Sequence, residues 1–290
     1  KPSIFIPPED KIPINPFILE TYDDVSIKLS AREKADSFSS IWRWFWPVQK
    51  GNLQDIIIAC YNDKANSKQK YPDFEDIYNK TLEIYQEKKI KNDTLSETLR
   101  WLSDFWLFSS NKDSGDLMNT IYNKTFIVWL NRISAEWLKE LVAYLIIEKL
   151  YKEMKQLPES EIKDWYRQIR TVLVIDEAHN YLSQKNLFLQ KIIREWRSKG
   201  IVVFFASQSP KDYEQDDYDF KENLEFSLIL WVNELSTSSI EKLVWCNSWV
   251  AQELKNKIPN FKPWETLIKS KDSRWWYLVF NSEPFWKRYK

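Results

Sequence analysis

Between Thr171 and Pro210 the chain reads TVLVIDEAHNYL, a short linker, FLQKIIREWRSKG and then IVVFFASQSP. Two short apolar runs each stop abruptly in polar residues, and a stretch of helical periodicity joins them. Apolar runs of this length suit strands buried in a parallel sheet, and parallel strands need a crossover between them, usually a helix. Gly200 follows directly on basic residues, where a helix ends in a left-handed residue. This one feature commits the chain to an α/β architecture, a mostly parallel sheet flanked by helices.

The rest of the chain extends the pattern. SIFIPPEDKIPINPF reads as a strand end running into a proline-broken loop. From Ser30 to Leu150 helices dominate. KYPDFEDIYNKTLEIYQEKK has the apolar spacing of an amphipathic helix, Thr94 and Glu97 form a capping box, and the longest helix starts at Ser134. FIVWLN, residues 126 to 131, is a compact strand. FSLILWVN is another, followed by two helices and a closing strand pair, ETLIKS and YLVF. We expect one domain over residues 1–290 with a helical insertion at residues 52–122.

Composition narrows the function classes. At 290 residues the chain has ample material for a core. Its 42 basic and 42 acidic residues cancel, so net charge neither favours nor excludes nucleic acid. Two cysteines, Cys60 and Cys246, fit a reducing compartment, and with no signal-peptide pattern the expected location is cytoplasmic. The longest apolar run, Leu141 to Ile147, is far short of the roughly 20 residues of a membrane helix, so no membrane insertion is expected.

Ligands bind open α/β sheets at the carboxyl ends of the strands. There, Asp176 and Glu177 leave an apolar strand. One acid suits Mg²⁺ bound through water and the other suits polarisation of an attacking water, the two tasks of phosphoryl transfer to water. The same pair would also suit a helix N-terminus. Ser207 and Gln208 end the next apolar strand, and a neutral amide there can orient the water and register a γ-phosphate. His179 is the single histidine, which leaves zinc binding without ligands and suggests a link between this turn and its neighbours.

VLVIDEAHNYL followed by REWRSKGIVVFFASQSP resembles the HerA–FtsK superfamily of ring-forming P-loop ATPases. The front, with PINPF, ADSFSSIW and VQKGNL, looks more narrowly like the ATPase of phosphorothioation-dependent DNA restriction systems. The resemblance implies a RecA-like core, ATP and Mg²⁺ as cofactors, DNA as partner and a homo-oligomeric ring, a hexamer, alongside other restriction-system proteins. It implies Asp176 as the Mg²⁺ residue, Glu177 and Gln208 as catalytic, and Arg197 as an arginine finger reaching a neighbouring subunit, with Arg194 and Arg274 as further candidates. Arg194 and Arg197 would equally complement a helix C-terminus. One departure is the lack of any G-x-x-x-x-G-K-[ST] phosphate loop. In the resembled family that loop precedes the segment matching residues 1–20, so the expectation is that the P-loop strand lies before Lys1. A secretion or conjugation ATPase of the type IV kind, and a nucleotide-incompetent structural subunit, are the alternative readings.

The second departure is tryptophan. The chain holds 16 Trp and 3 Gly, whereas ordinary usage of about 7% glycine would give roughly 20. Trp196 stands where the family pattern REGRxxG has glycine. KPWETLIKS, VWCNSWVAQEL, DSRWWYLVF and IWRWFWPVQKGN likewise read naturally with glycine for tryptophan. The expectation is that most of the tryptophans, tested at Trp42, Trp44, Trp46, Trp196, Trp264, Trp275 and Trp276, are glycines of a lineage that reads UGA as glycine. Those seven should then mostly lie exposed or at turns and helix ends, several with positive φ. The alternative is a protein whose indoles stack on bases or fill a core.

Overall fold

A computed structural model of the chain describes residues 2–41, 45–67, 71–105, 107–109, 125–182, 186–215, 218–232, 235–271 and 277–281. The chain divides into two compact units, Lys1–Thr171 and Val172–Lys290.

In the first unit, strand β1 (Ser3–Phe5) pairs in parallel with β2 (Phe126–Val128). The strand expected over residues 126–131 stops early. β1 ends ahead of Pro7, and once Trp129 N–H has bonded to Phe5 O at 2.8 Å, β2 has no partner strand to continue along. Leu130–Arg132 turns into a 3₁₀ helix instead. Among the described residues, five helices make up most of this unit: α1 (Asp24–Ile41), α2 (Pro47–Lys64), α3 (Phe74–Glu87), α4 (Thr94–Asp104) and α5 (Glu136–Lys155). Helix α3 begins with a reciprocal box, in which Asp73 accepts from Asp76 N–H and Asp76 from Asp73 N–H, each at 3.0 Å. It turns Phe74, Ile77, Thr81 and Tyr85 inward. Helix α4 caps one residue earlier than the Thr94–Glu97 reading. Asp93 accepts Ser96 N–H at 3.1 Å and Ser96 Oγ accepts Asp93 N–H at 2.9 Å. A carboxylate suits the positive helix end better than a hydroxyl does, and this start still carries Leu95, Leu99 and Leu102 inward.

Helices α1 and α5 share a buried ionic cluster. Lys34 Nζ lies 2.7 Å from Glu148 Oε1, Ser37 Oγ donates to Glu148 Oε2 at 3.1 Å, and Lys152 Nζ lies 2.9 Å from Glu148 Oε1. Burial by itself would raise the Glu148 carboxyl, but Lys34 and Lys152 together outweigh it and hold it at about 2. The same burial draws Lys34 down to about 8 against the pull of Glu148. At neutral pH the pair is therefore charged. The unit closes with a hairpin of β3 (Ile162–Lys163) and β4 (Tyr166–Arg167).

The second unit carries β5 (Thr171–Ile175), whose first residue ends the preceding unit, then α6 (His179–Leu182), α7 (Leu187–Glu195), a 3₁₀ turn at Trp196–Lys199 and β6 (Ile201–Phe205). Asn186 caps α7 by accepting Leu189 N–H at 2.9 Å, and Gly200 takes φ 74° between helix and strand. Strand β5 is less buried than its composition implies. Only Ile175 is buried, and Val172 and Val174 are exposed; among the described residues β6 is the one strand hydrogen-bonded to it. A small hairpin, β7 (Glu214–Gln215) and β8 (Tyr218–Asp219), precedes β9 (Phe226–Ile229). Helices α8 (Thr237–Val244) and α9 (Ser248–Lys257) then lead to β10 (Glu265–Ser270) and β11 (Leu278–Asn281). Here the sheet is antiparallel, in the order β11-β10-β9. One crossover helix returns a chain parallel; two consecutive helices reverse it once more, so β10 runs against β9. Ile229, Ile240, Leu243, Val244, Ala251, Leu254 and Leu267 fill the core between these helices and strands.

Trp42, Trp44, Arg274, Trp275 and Trp276 lie outside the described residues. Trp46 is exposed at the start of α2, and Trp264 is exposed with φ 76°. Trp196 sits at the C-terminal end of α7, as expected of a glycine site, but it is buried at negative φ, and its indole N–H finds no hydrogen-bond partner among the described residues.

Candidate functional site

The chain leaves β5 through a bulge. Ala206 N–H donates to Ile175 O at 3.0 Å, and Ala206 O accepts from Ala178 N–H at 2.8 Å. A residue in a regular parallel ladder bonds to partners two apart on its neighbour; here they are three apart, Ile175 and Ala178. The extra residue falls at Asp176–Glu177, and Glu177 absorbs it with φ 48°. A glutamate in this left-handed region is uncommon, and such strain gathers at functional sites. The kink leaves both acidic side chains exposed at the carboxyl end of the strand. Asp176 Oδ1 accepts the Glu177 N–H at 3.0 Å.

Gln208 meets Glu177 there. Its Nε2 donates to the two Glu177 carboxylate oxygens at 3.3 and 3.2 Å. His179 Nδ1 approaches Glu177 Oε2 at 3.3 Å, without the alignment of a hydrogen bond. Asp176, Glu177, Gln208 and His179 are thus gathered at one sheet end.

The arginines stand elsewhere. Arg197 follows α7 and precedes β6, so five strand residues separate it from the Gln208 end, about 17 Å at 3.3 Å per residue. Its guanidinium is exposed and lies 3.4 Å from Glu225 Oε1. Arg194 is exposed in the last turn of α7. Neither belongs to the Glu177 cluster of its own chain.

A residue that motif reading passed over holds the loop after β6. Pro210–Tyr213 forms a 3₁₀ turn opened by Ser209, whose Oγ accepts Lys211 N–H at 3.3 Å, while Asp212 Oδ2 accepts Ser209 N–H at 3.1 Å. The same Asp212 oxygen also accepts from Ser207 Oγ. The spacing Ser209-x-x-Asp212 with Pro210 first in the turn is a capping signature, and it could have been read from sequence.

Among the described residues no three His, Cys, Asp or Glu side chains converge to hold a metal ion. The exposed Asp176 carboxylate still fits Mg²⁺, which keeps waters and shares its coordination between one or two carboxylates and substrate phosphates. No segment of this chain matches a phosphate-cradling loop.

No protein-family model and no curated protein sequence matches the chain. Solved structures do. VirB4 of Thermoanaerobacter pseudethanolicus superposes with a TM-score of 0.73 at 17% identity, over 100% of this chain and 78% of that one. The bacterial conjugative coupling protein TrwB (TrwBΔN70) gives 0.54 at 12%, over 97% and 73%. TrwB in complex with ADP and Mg²⁺ gives 0.53 at 13%, over 97% and 75%. At these identities the likeness establishes the fold alone: a mixed α/β fold of RecA-like architecture, with parallel sheets and flanking helices.

Proposed function

We propose that this chain is the motor part of an ATP-hydrolysing, ring-forming translocase. The observation that carries the reading is the meeting of Glu177 and Gln208 at one end of the parallel β5–β6 pair. Bound ATP and Mg²⁺ would supply the transferable phosphoryl group and the charge that stabilises it. Asp176 would hold the metal through water. Glu177, thrown outward by the bulge, would accept a proton from the attacking water, and Gln208 would orient that water and sense the terminal phosphate. Arg197, remote from the cluster of its own chain, is then the residue to reach a neighbour's nucleotide in a homo-oligomeric ring, with DNA as the polymer moved.

For the setting, the fold likeness to VirB4 over the whole chain and to TrwB over nearly all of it favours a conjugation or secretion machine. The restriction reading rests on the sequence resemblance alone. In either setting the full-length protein should hydrolyse ATP, and added double-stranded DNA should stimulate it. Gln208→Ala should lower kcat about 100-fold with nucleotide affinity unchanged. A folded protein without hydrolysis, with or without DNA, would favour the structural-subunit reading.

A further inference from the structure

The Glu177–Gln208 contact depends on how the loop after β6 is held. A side chain on a loop is positioned only as well as the backbone on either side of it. The residues before and after Gln208 are tied to a single atom: Asp212 Oδ2 accepts from Ser207 Oγ and, at 3.1 Å, from Ser209 N–H. The tether is itself braced. Asp212 N–H returns to Ser209 O at 3.2 Å, and the neighbouring Tyr213 hydroxyl donates to Phe205 O at 3.3 Å, at the end of β6. Gln208 is the free middle residue of this clamp, and its amide is the part that reaches Glu177. We propose that Asp212 is a positioning residue for Gln208, holding the amide where it can orient the attacking water. This rests on the ATPase reading of Glu177 and Gln208.

The test is a double-mutant cycle on the full-length protein, read as kcat and KM for ATP. Asp212→Ala should lower kcat about tenfold and leave KM unchanged, because a misplaced orienting group affects the reaction rather than the binding. In a Gln208→Ala background the same substitution should do nothing further. Asp212→Asn keeps an acceptor oxygen for Ser207 and Ser209 and should recover most of the rate. Should Asp212→Ala not fold, Ser207→Ala removes one tether with little risk to the fold and should show the same background dependence on a smaller scale. No loss, or an equal loss in both backgrounds, overturns the proposal. Glu177→Gln, measured alongside, separates the two claims. If it retains turnover, the ATPase reading fails; if it is dead while the cycle is additive, only the role of Asp212 fails.

The backbone carries an independent second inference. Six non-glycine residues among those described have positive φ: Lys89, Asp164, Trp165, Glu177, Trp245 and Trp264. Half of these are tryptophans, and each occupies a turn that calls for glycine. Asp164 and Trp165 (φ 50° and 70°) are the two-residue loop of the β3–β4 hairpin, between the paired Lys163 and Tyr166. That is a type I′ turn, filled best by Asp-Gly, and Trp165 is 98% exposed. Trp245 (φ 48°) ends α8 in the left-handed conformation, its N–H and that of Cys246 both bonded to Glu241 O, where glycine is the usual residue. Trp264 (φ 76°) follows Pro263 in a turn closed by Glu265 N–H to Lys262 O at 2.9 Å, the Pro-Gly arrangement of a type II turn. We infer that the natural protein has glycine at 165, 245 and 264. Mass spectrometry of peptides from the natural protein should find glycine at all three; tryptophan at any of them overturns the inference.

Discussion

Glu177 holds its backbone where a glutamate is strained, at φ 48°, with Gln208 and His179 beside its carboxylate. Such a conformation costs on the order of 1–3 kcal/mol. Replacing the residue with glycine should therefore separate stability from activity. Glu177→Gly should raise the melting temperature by about 2–4 °C, the response of a domain of this size to about 1 kcal/mol, while turnover is lost. Differential scanning fluorimetry beside an ATPase assay reads both, and a fall in melting temperature would mean that the left-handed backbone is not strained. The acids and Gln208 were legible because each ends an apolar run, and a change from apolar to polar is written in residue types. The bulge was not, since the extra residue shows only in the hydrogen bonds of Ala206. Asp212 was written as Ser-x-x-Asp, but its meaning depends on Ser207 folding back onto it.

At the scale of elements, α1 and α5 are joined through Lys34, Glu148 and Lys152. Removing one member of a buried charged group strands the others, so Glu148→Gln should destabilise the fold by about 3–5 kcal/mol in denaturant unfolding. The same carboxyl gives an acid dependence. Its folded value is about 2 against an ordinary 4.5. A depressed carboxyl stabilises the fold fully above its unfolded value, and that contribution fades as pH falls from about 4.5 toward 2. In Glu148→Gln the stability lost across this window should shrink; an unchanged acid profile would show that other groups set it. The helices themselves were legible from apolar spacing in α3 and α5. The cap of α4 at Asp93 was not, because Asp93 and Thr94 are both good caps and adjacent in sequence, so residue type alone leaves the choice open. Nor was the antiparallel β9–β10 pair, since strand direction follows from the path of two intervening helices and not from the strand's own residues.

For the whole molecule, the position of Arg197 at the opposite strand end from Gln208 makes an assembly prediction. If Arg197 serves a neighbour's nucleotide, Arg197→Ala should be nearly inactive alone, by about 10³-fold. Mixed into rings with Glu177→Gln protomers, which are dead for a different reason, it should regain part of the activity, because some interfaces then carry an intact glutamate facing an intact arginine. Mixed rings as inactive as either parent would remove Arg197 from the role. The central claim, that Glu177 activates the attacking water, is tested most directly by measuring nucleotide binding and turnover together in Glu177→Gln of the full-length protein. The amide keeps the shape of the carboxylate and loses its capacity to take a proton. ATP affinity should stay within about twofold of the unaltered protein while kcat falls at least about 100-fold. Hydrolysis at the unaltered rate, with binding intact, would contradict the account.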